Sequence, residues 1–394
     1  MIAPAATLRR RERLVQAETV KEHLWRLLLD WPQAITRDDE RAARAGAAAS
    51  SSAAPSLIYP HPQTPAMAQV MQCFLRARHQ PASHSEPFRL GARVVDASGA
   101  ITPTVVGSGL AAEATFATAC GDLAALVREH ALQTAPADWL ATVNATEALL
   151  RWADTTPAPP AQLVRTLVAE GRADCGANAV KSLAALPMED LAQGLAGADA
   201  VALIAVPQWQ GRCWETGPLG RAARHPLVAD VLAEFGNGLL AHLAALLVEL
   251  AKAAAILESA EPEAPATRPG DAAYRAERAN ADLGGAVHTR VADNLDTETD
   301  TAADTGNAGA ITSGVALAEA ARGALLHRVE IADAVVQRYQ ILAPTEWNFH
   351  PEGVVAQGLA GIAHSGVGGA ELERLARLYI TAVDPCVAYR LSVS

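Results

Sequence analysis

Near its end the chain reads Asp-Pro-Cys-Val-Ala-Tyr, residues 384 to 389, and the residue types there decide which metal chemistry is open to it. A second sulfur three residues beyond Cys386 would complete half of a soft-metal site, because two thiolates can bridge or chelate such an ion. Tyr389 stands at that place instead. The other cysteines, Cys73, Cys120, Cys175 and Cys213, are widely spread and form no CxxC pair. They are therefore expected as reduced packing residues, with neither a disulfide framework nor ligand spacing among them. His327 and His350 lack a second ligand at i+3 or i+4 and are read, with His23, as structural. Glu215 and Arg221 flank the Gly-Pro turn of "ETGPLGR", and a pair around that turn is at least as good a reading as a docking role. GxSxG and HExxH are absent, and "GVGG" (366 to 369) lacks the preceding strand and the Lys-Ser/Thr of a phosphate loop.

These residues need elements to position them, and composition indicates which kind. Half of the 394 residues are hydrophobic but only 4% are aromatic, and alanine is abundant, so closely packed helices are expected over a β-sandwich. Net charge is -11, with 43 acidic residues against 32 basic ones, which repels a phosphate backbone and argues against nucleic acid as a partner. The first twenty residues carry a basic cluster without an apolar stretch behind it, so no secretory signal is expected and the compartment is read as cytoplasmic. The longest apolar stretch, "LLAHLAALLVEL" at 239 to 250, is interrupted by His242 and Glu249 and falls short of the ~20 residues of a bilayer span. A core helix is expected there, and no membrane.

Apolar spacing over Leu14, Ala17, Val20, Leu24 and Leu28 predicts a first helix that Pro32 ends. Residues 41–56 read as a low-complexity loop, and Thr64 with Pro65 as the start of a second helix. Ala/Leu segments between 110 and 200, punctuated by Pro and Gly, predict a bundle. One long helix is expected from Pro226 to Ser259, and a polar, disordered insertion over 261–310. "ALLHRVEI" and "AVVQRYQILA" alternate as the arms of a β-hairpin, and a glycine-rich turn leads into a last helix. The fold class is mainly α with a small β component (α+β), in one domain over 1–394.

Four blocks in this order resemble the large subunit of nickel-iron hydrogenases: "LLLDWP" (27 to 32), "ETGPLGR" (215 to 221), "RGALLH" with "APTEWNFHP" (322 to 327 and 343 to 351), and "DPC" (384 to 386). The resemblance implies a hydrogenase large-subunit-like helical core with a C-terminal β-hairpin. It is closer still to the accessory family labelled HupK or HoxV, which shares the spelling "APTEWNFHP" and lacks the full cysteine set. In the hydrogenases, two cysteine pairs hold nickel and bridge it to an iron that carries cyanide and carbon monoxide. Here the N-terminal pair is missing, Tyr389 replaces the second C-terminal thiol, and Glu352 follows Pro351 where the enzymes place an arginine. Three of four thiolates are gone, so a nickel-iron centre of the enzyme's kind and hydrogen chemistry are not expected.

What the resemblance implies instead is an assembly scaffold. It would receive or protect a transient Fe(CN)2(CO) unit, without nickel, working with a HypC-like small chaperone and the hydrogenase large-subunit precursor. Cys386 is the implied metal ligand. Asp384, Asp30 and Pro351 match residues around the enzyme's cofactor. With Ser394 as its last residue, the chain is expected to carry no removable C-terminal extension. Two other readings stand beside this one: an interaction protein that binds no metal, and a divergent catalytic large subunit.

Overall fold

A computed structural model describes residues 5–35, 69–70, 73, 109–259, 311–333, 335–387 and 389–393. The low-complexity loop at 41–56, the insertion at 261–310 and most of the helix expected from Thr64 lie outside the described residues.

The organising element is helix α11 (Leu239–Glu258), taking the helices in chain order: α1 (Ala5–Trp25), α2 (Trp31–Ile35), α3 (Gly109–Val127), α4 (Pro136–Thr142), α5 (Thr146–Thr155), α6 (Pro159–Ala169), α7 (Met188–Ala196), α8 (Ala200–Ala205), α9 (Pro218–Ala222) and α10 (Pro226–Phe235). Leucine and alanine make up most of α11, and 15 of its 20 residues are buried. It therefore runs inside the bundle, against α1, α3, α4, α9 and α10. At 20 residues it is longer than the apolar stretch expected and long enough to cross a membrane, yet 78% of its most apolar window is buried within the protein, as in a core helix.

Two helix boundaries differ from expectation. The single helix over 226–259 is in fact α10 and α11, broken at Gly236-Asn237-Gly238. Gly236 has φ +66°. A Cβ on Gly238 would sit 2.6 Å from the Asp174 carbonyl carbon, and the Asn237 side chain accepts from Asn178 N–H at 2.7 Å and donates to Val180 O at 3.1 Å. Tertiary contacts thus hold the break, overriding a continuous apolar pattern. Conversely, Pro32 does not end the first helix. A π turn over Arg26–Asp30, closed by Trp31 N–H to Arg26 O, precedes α2, and this wider turn lets the chain continue past a residue with no N–H to donate. Within the bundle, the segment "PADWLATVNATEALLRWA" forms the two helices α4 and α5.

The hairpin is present and has a third strand. Strands β3 (Thr312–Ala320), β4 (Gly323–Ala332) and β5 (Val335–Leu342) form an antiparallel sheet in that order, with Leu317 opposite Leu326 and Leu326 opposite Leu342. The small residues of β3 (Gly314, Ala316, Ala318, Ala320) conceal its strand period from a reading that counts large apolar residues. A short parallel pair, β1 (Ser182–Leu183) with β2 (Glu215–Thr216), lies apart from it. Val315, Leu326 and Leu342 of the sheet pack with Leu183, Leu191, Leu195 and Trp347 in a second apolar cluster beside the helical core. The chain then closes with α12 (Pro344–Asn348), α13 (Val354–His364) and α14 (Gly369–Val383).

Tyr379 of α14 is fully buried, donates to Val354 O at 3.2 Å and accepts from Asn178 Nδ2 at 3.0 Å. A Cβ on Gly176 or Gly358 would enter its ring. Gly358→Ala is therefore expected to lower stability by about 1–3 kcal/mol through overpacking. Gly361→Ala, where a Cβ meets nothing within 4 Å, should be neutral or slightly stabilising. Urea midpoints of the two variants test this.

Candidate functional site

Asp384 is the C-cap of α14, with a left-handed φ of +57°. Its N–H reaches back to Ile380 O at 3.0 Å, and Pro385 then forbids further helix. This turn carries Cys386 to the surface, where the residue is exposed, while Asp384 is only 6% exposed. The Cys386 N–H donates to Thr345 Oγ1 at 3.3 Å, which fixes the turn to α12.

The buried carboxylate is held by two arginines. Arg26 Nε lies 2.6 Å from Asp384 Oδ1, and the same guanidinium pairs with Asp30 through Nη1. Arg322, in the tight turn between β3 and β4, places Nε 3.5 Å from Asp384 Oδ2 and Nη2 3.1 Å from Glu22 Oε2. Burial pulls the Asp384 and Asp30 carboxyls up from the usual carboxylate range, and Arg26 draws them back. Burial also opposes the Arg26 charge, but the two aspartates outweigh it and its pKa is raised, so the arginine stays charged and the carboxyls are the groups that titrate. The π turn brings Arg26 and Asp30, four residues apart, to one side of the first helix, facing the C-terminal turn.

A second ionic cluster adjoins the first. Glu249 of α11 accepts Arg221 Nε at 2.7 Å and Arg221 Nη2 at 2.8 Å, and it lies 3.0 Å from His23 Nε2. Arg221 also donates to Ala321 O at 2.7 Å, the residue before Arg322. Burial works against the Glu249 carboxylate, but Arg221 and His23 outweigh it and bring its pKa down to about 2. Glu215 and Arg221 therefore do not pair with each other around the turn. Glu215 bonds His242 Nε2 at 2.9 Å and Ser182 Oγ at 3.0 Å, because β2 directs its side chain into the core while Arg221, on α9, faces α11.

The structure thus brings together Asp30, Asp384 and Cys386, three of the residues singled out from the sequence. Pro351 is exposed in the turn after α12. Its neighbour Glu352 faces a separate cleft of about 280 Å³ lined by Lys181, Arg212, Cys213 and Trp214. Cys213 donates its thiol to Glu352 O at 3.0 Å. His350 is buried and its Nδ1 accepts the Glu352 N–H at 3.0 Å, while His327 contacts Tyr339 Oη at 2.8 Å. Cys73 and Cys120 are buried, and burial pushes the Cys120 and Cys175 thiols up to about 11.

Arg26, Arg322 and Thr345 were not singled out by sequence reasoning. Arg26 left a signal in its i,i+4 spacing to Asp30. Arg322 and Thr345 left only their membership of the blocks "RGALLH" and "APTEWNFHP".

As a donor set, the turn offers one thiol. Among the described residues no group of three or more His, Cys, Asp or Glu side chains converges as metal ligands, so these residues do not fit a resident nickel-iron centre. Burial around the base of the turn raises the Cys386 thiol above its ordinary value, although its own surface is open. Binding a soft metal there would release a proton.

Residues 180–389 match the family described as nickel-dependent hydrogenase. Among curated proteins, the chain is 34% identical over 269 residues to the hydrogenase expression/formation protein HoxV of Cupriavidus necator, covering 66% of this chain and 59% of that protein. It is 48% identical over 80 residues to the hydrogenase expression/formation protein HupK of Azotobacter vinelandii, covering 20% of this chain and 22% of that one. The matched stretches thus span less than two thirds of either relative. Among solved structures, the Ni-Fe-Se hydrogenase of D. vulgaris Hildenborough aligns over 97% of this chain and 81% of its own, with a TM-score of 0.50 at 14% identity, a likeness of fold.

Proposed function

The chain belongs to the nickel-dependent hydrogenase family, and from that premise we propose that it is a non-catalytic scaffold in the maturation of a hydrogenase large subunit. The observation that carries this reading is the Asp384 turn, where a single accessible thiol sits on backbone clamped from below by Arg26, Arg322 and Thr345. One sulfur is too few to retain a bimetallic centre. It is enough to hold a preassembled iron unit and release it. The names of the relatives, expression/formation proteins, support the same role.

In this reading the cargo is the Fe(CN)2(CO) unit, with no nickel. Cys386 would lose its proton to solvent, and its thiolate would replace a ligand that the delivering chaperone holds on the iron unit, that ligand leaving with the chaperone. Asp384 and Asp30, held by Arg26, fix the turn, and Pro351 enters this reading through the motif resemblance alone. The partners are a HypC-like small chaperone and the large-subunit precursor, in the cytoplasm. The test is the infrared spectrum of the protein purified after co-expression with the iron-cofactor assembly proteins. Cyanide and carbonyl bands are expected in wild type and lost in Cys386→Ser. Their intensity should rise with pH, because the Cys386 thiol is raised above its ordinary value.

One observation favours an interaction-only reading: the same raised thiol stands without a second sulfur at ligand spacing. Absence of bands from wild type, with complex formation intact, would decide for that alternative.

A further inference from the structure

The cleft beside Glu352 plays no part in the scaffold reading. Its walls come from Lys181 just ahead of β1, from Gln208, Arg212 and Trp214 ahead of β2, and from Glu352 and Gln357 at the start of α13. Three of these residues, Lys181, Arg212 and Glu352, bear charges. Each is exposed, and none is ion-paired with another of the three or with any other described residue.

The backbone of all three is fixed. Lys181 O accepts the Glu215 N–H at 2.9 Å. Arg212 and Trp209 exchange both of their N–H···O bonds, at 3.2 and 3.0 Å, across Gln210 and Gly211, which have φ +53° and +67°. A two-residue turn with both central residues left-handed holds its flanks tightly. Glu352 O accepts the Cys213 thiol at 3.0 Å and Gln357 Nε2 at 2.8 Å, and the Glu352 N–H goes to His350 Nδ1 at 3.0 Å.

These bonds also show what the cleft has left to offer. The Cys213 thiol and the Gln357 amide group are engaged on Glu352 O. Trp214 Nε1 donates to Trp209 O at 3.0 Å, so the indole contributes apolar surface. Two cations and one carboxylate remain. Their complement is a molecule with two anionic groups, one cationic group and a short carbon chain.

We propose that this cleft binds a free acidic α-amino acid. Arg212 takes one carboxylate on its planar fork and Lys181 the other, Glu352 takes the ammonium, and the carbon chain lies against Trp214. Size and charge select the occupant. About 280 Å³ lies at the lower edge of the range for small-molecule sites and suits a few heavy atoms better than a nucleotide. A phosphate group would satisfy the two cations but set its charge against Glu352 with nothing to offset the repulsion. The site goes beyond the scaffold reading and does not depend on it.

The experiment is isothermal titration calorimetry on the full chain with L-glutamate, with glutarate (the same chain without the ammonium) and with inorganic phosphate. L-glutamate should bind at a single site, with glutarate and phosphate each weaker by about tenfold or more. Arg212→Met should weaken L-glutamate by a similar factor. Glu352→Gln should tighten glutarate and close the gap between the two. Both substitutions fall on exposed side chains, so thermal melts near wild type are expected. Three outcomes overturn the proposal: no saturable binding of L-glutamate, glutarate or phosphate binding as tightly as L-glutamate, or L-glutamate affinity unchanged in Arg212→Met. Cys386→Ser should bind L-glutamate like wild type, which keeps this test apart from the infrared one.

Discussion

Arg26→Met is expected to lower the stability of the folded chain by about 3–5 kcal/mol at pH 8, the loss that follows when one partner of a buried ion pair is removed and the other is left charged. The value rests on placement: Asp384 is 6% exposed, and Asp30 shares the same guanidinium. The effect should also depend on pH. Burial already raises the Asp384 carboxyl, and without Arg26 to draw it back the folded-state pKa climbs further. A carboxyl whose folded pKa lies above its unfolded value binds more protons in the native state, so the variant loses stability as pH rises and recovers some of it as pH falls. Urea titrations at pH 8 and pH 5 should show a larger difference from wild type at the higher pH. An equal difference at both would remove Asp384, left with Arg322 alone, as the group responsible. The infrared bands proposed for wild type should weaken in the same variant, since the turn that presents Cys386 loses its clamp.

Glu249→Gln should destabilise by about 3 kcal/mol, at the low end of the range for a broken buried pair, because 23% of the Arg221 side chain keeps contact with water. Glu249 titrates near 2 in the fold. A carboxyl held below its unfolded value stabilises above about pH 4.5, and that contribution is lost as pH falls toward 2. The stability difference between wild type and Glu249→Gln is thus expected to be flat above pH 5 and to shrink steadily below it. Denaturant midpoints between pH 7 and pH 2.5 measure it. A difference that widens toward acid would place the low pKa on another carboxylate.

Much of the helical interior was legible because α11 and α1 carry their apolar residues at helical spacing, and burial follows that pattern. What was illegible had physical causes outside any local window. The α10–α11 break is set by Asp174 and Asn178, about sixty residues earlier in the chain. Strand β3 hides behind alanine and glycine, which periodicity does not count as apolar anchors. At the site, Asp30, Asp384 and Cys386 were found through motif resemblance, but the residue joining the two aspartates was not. Arg26 looks like any surface arginine on a helix until the C-terminal turn arrives from more than 350 positions away. Glu215 and Arg221 were close in sequence and were paired for that reason. Their true partners, His242 and Glu249, both lie on α11, two helices beyond α9.

The π turn at Arg26–Asp30 has a consequence for how this chain is set beside its kin. A π turn is an α-helix that has accommodated one surplus residue, and its wider winding absorbs that residue, so that everything after it keeps its side of the axis. Excising Leu28 would restore regular winding. It would leave Asp30 three positions beyond Arg26, still on the side that meets the last turn of the protein. Beside a relative whose helix lacks the surplus residue, an alignment that closes this stretch without a single-residue gap would set every residue ahead of the turn one position out of step with its structural counterpart.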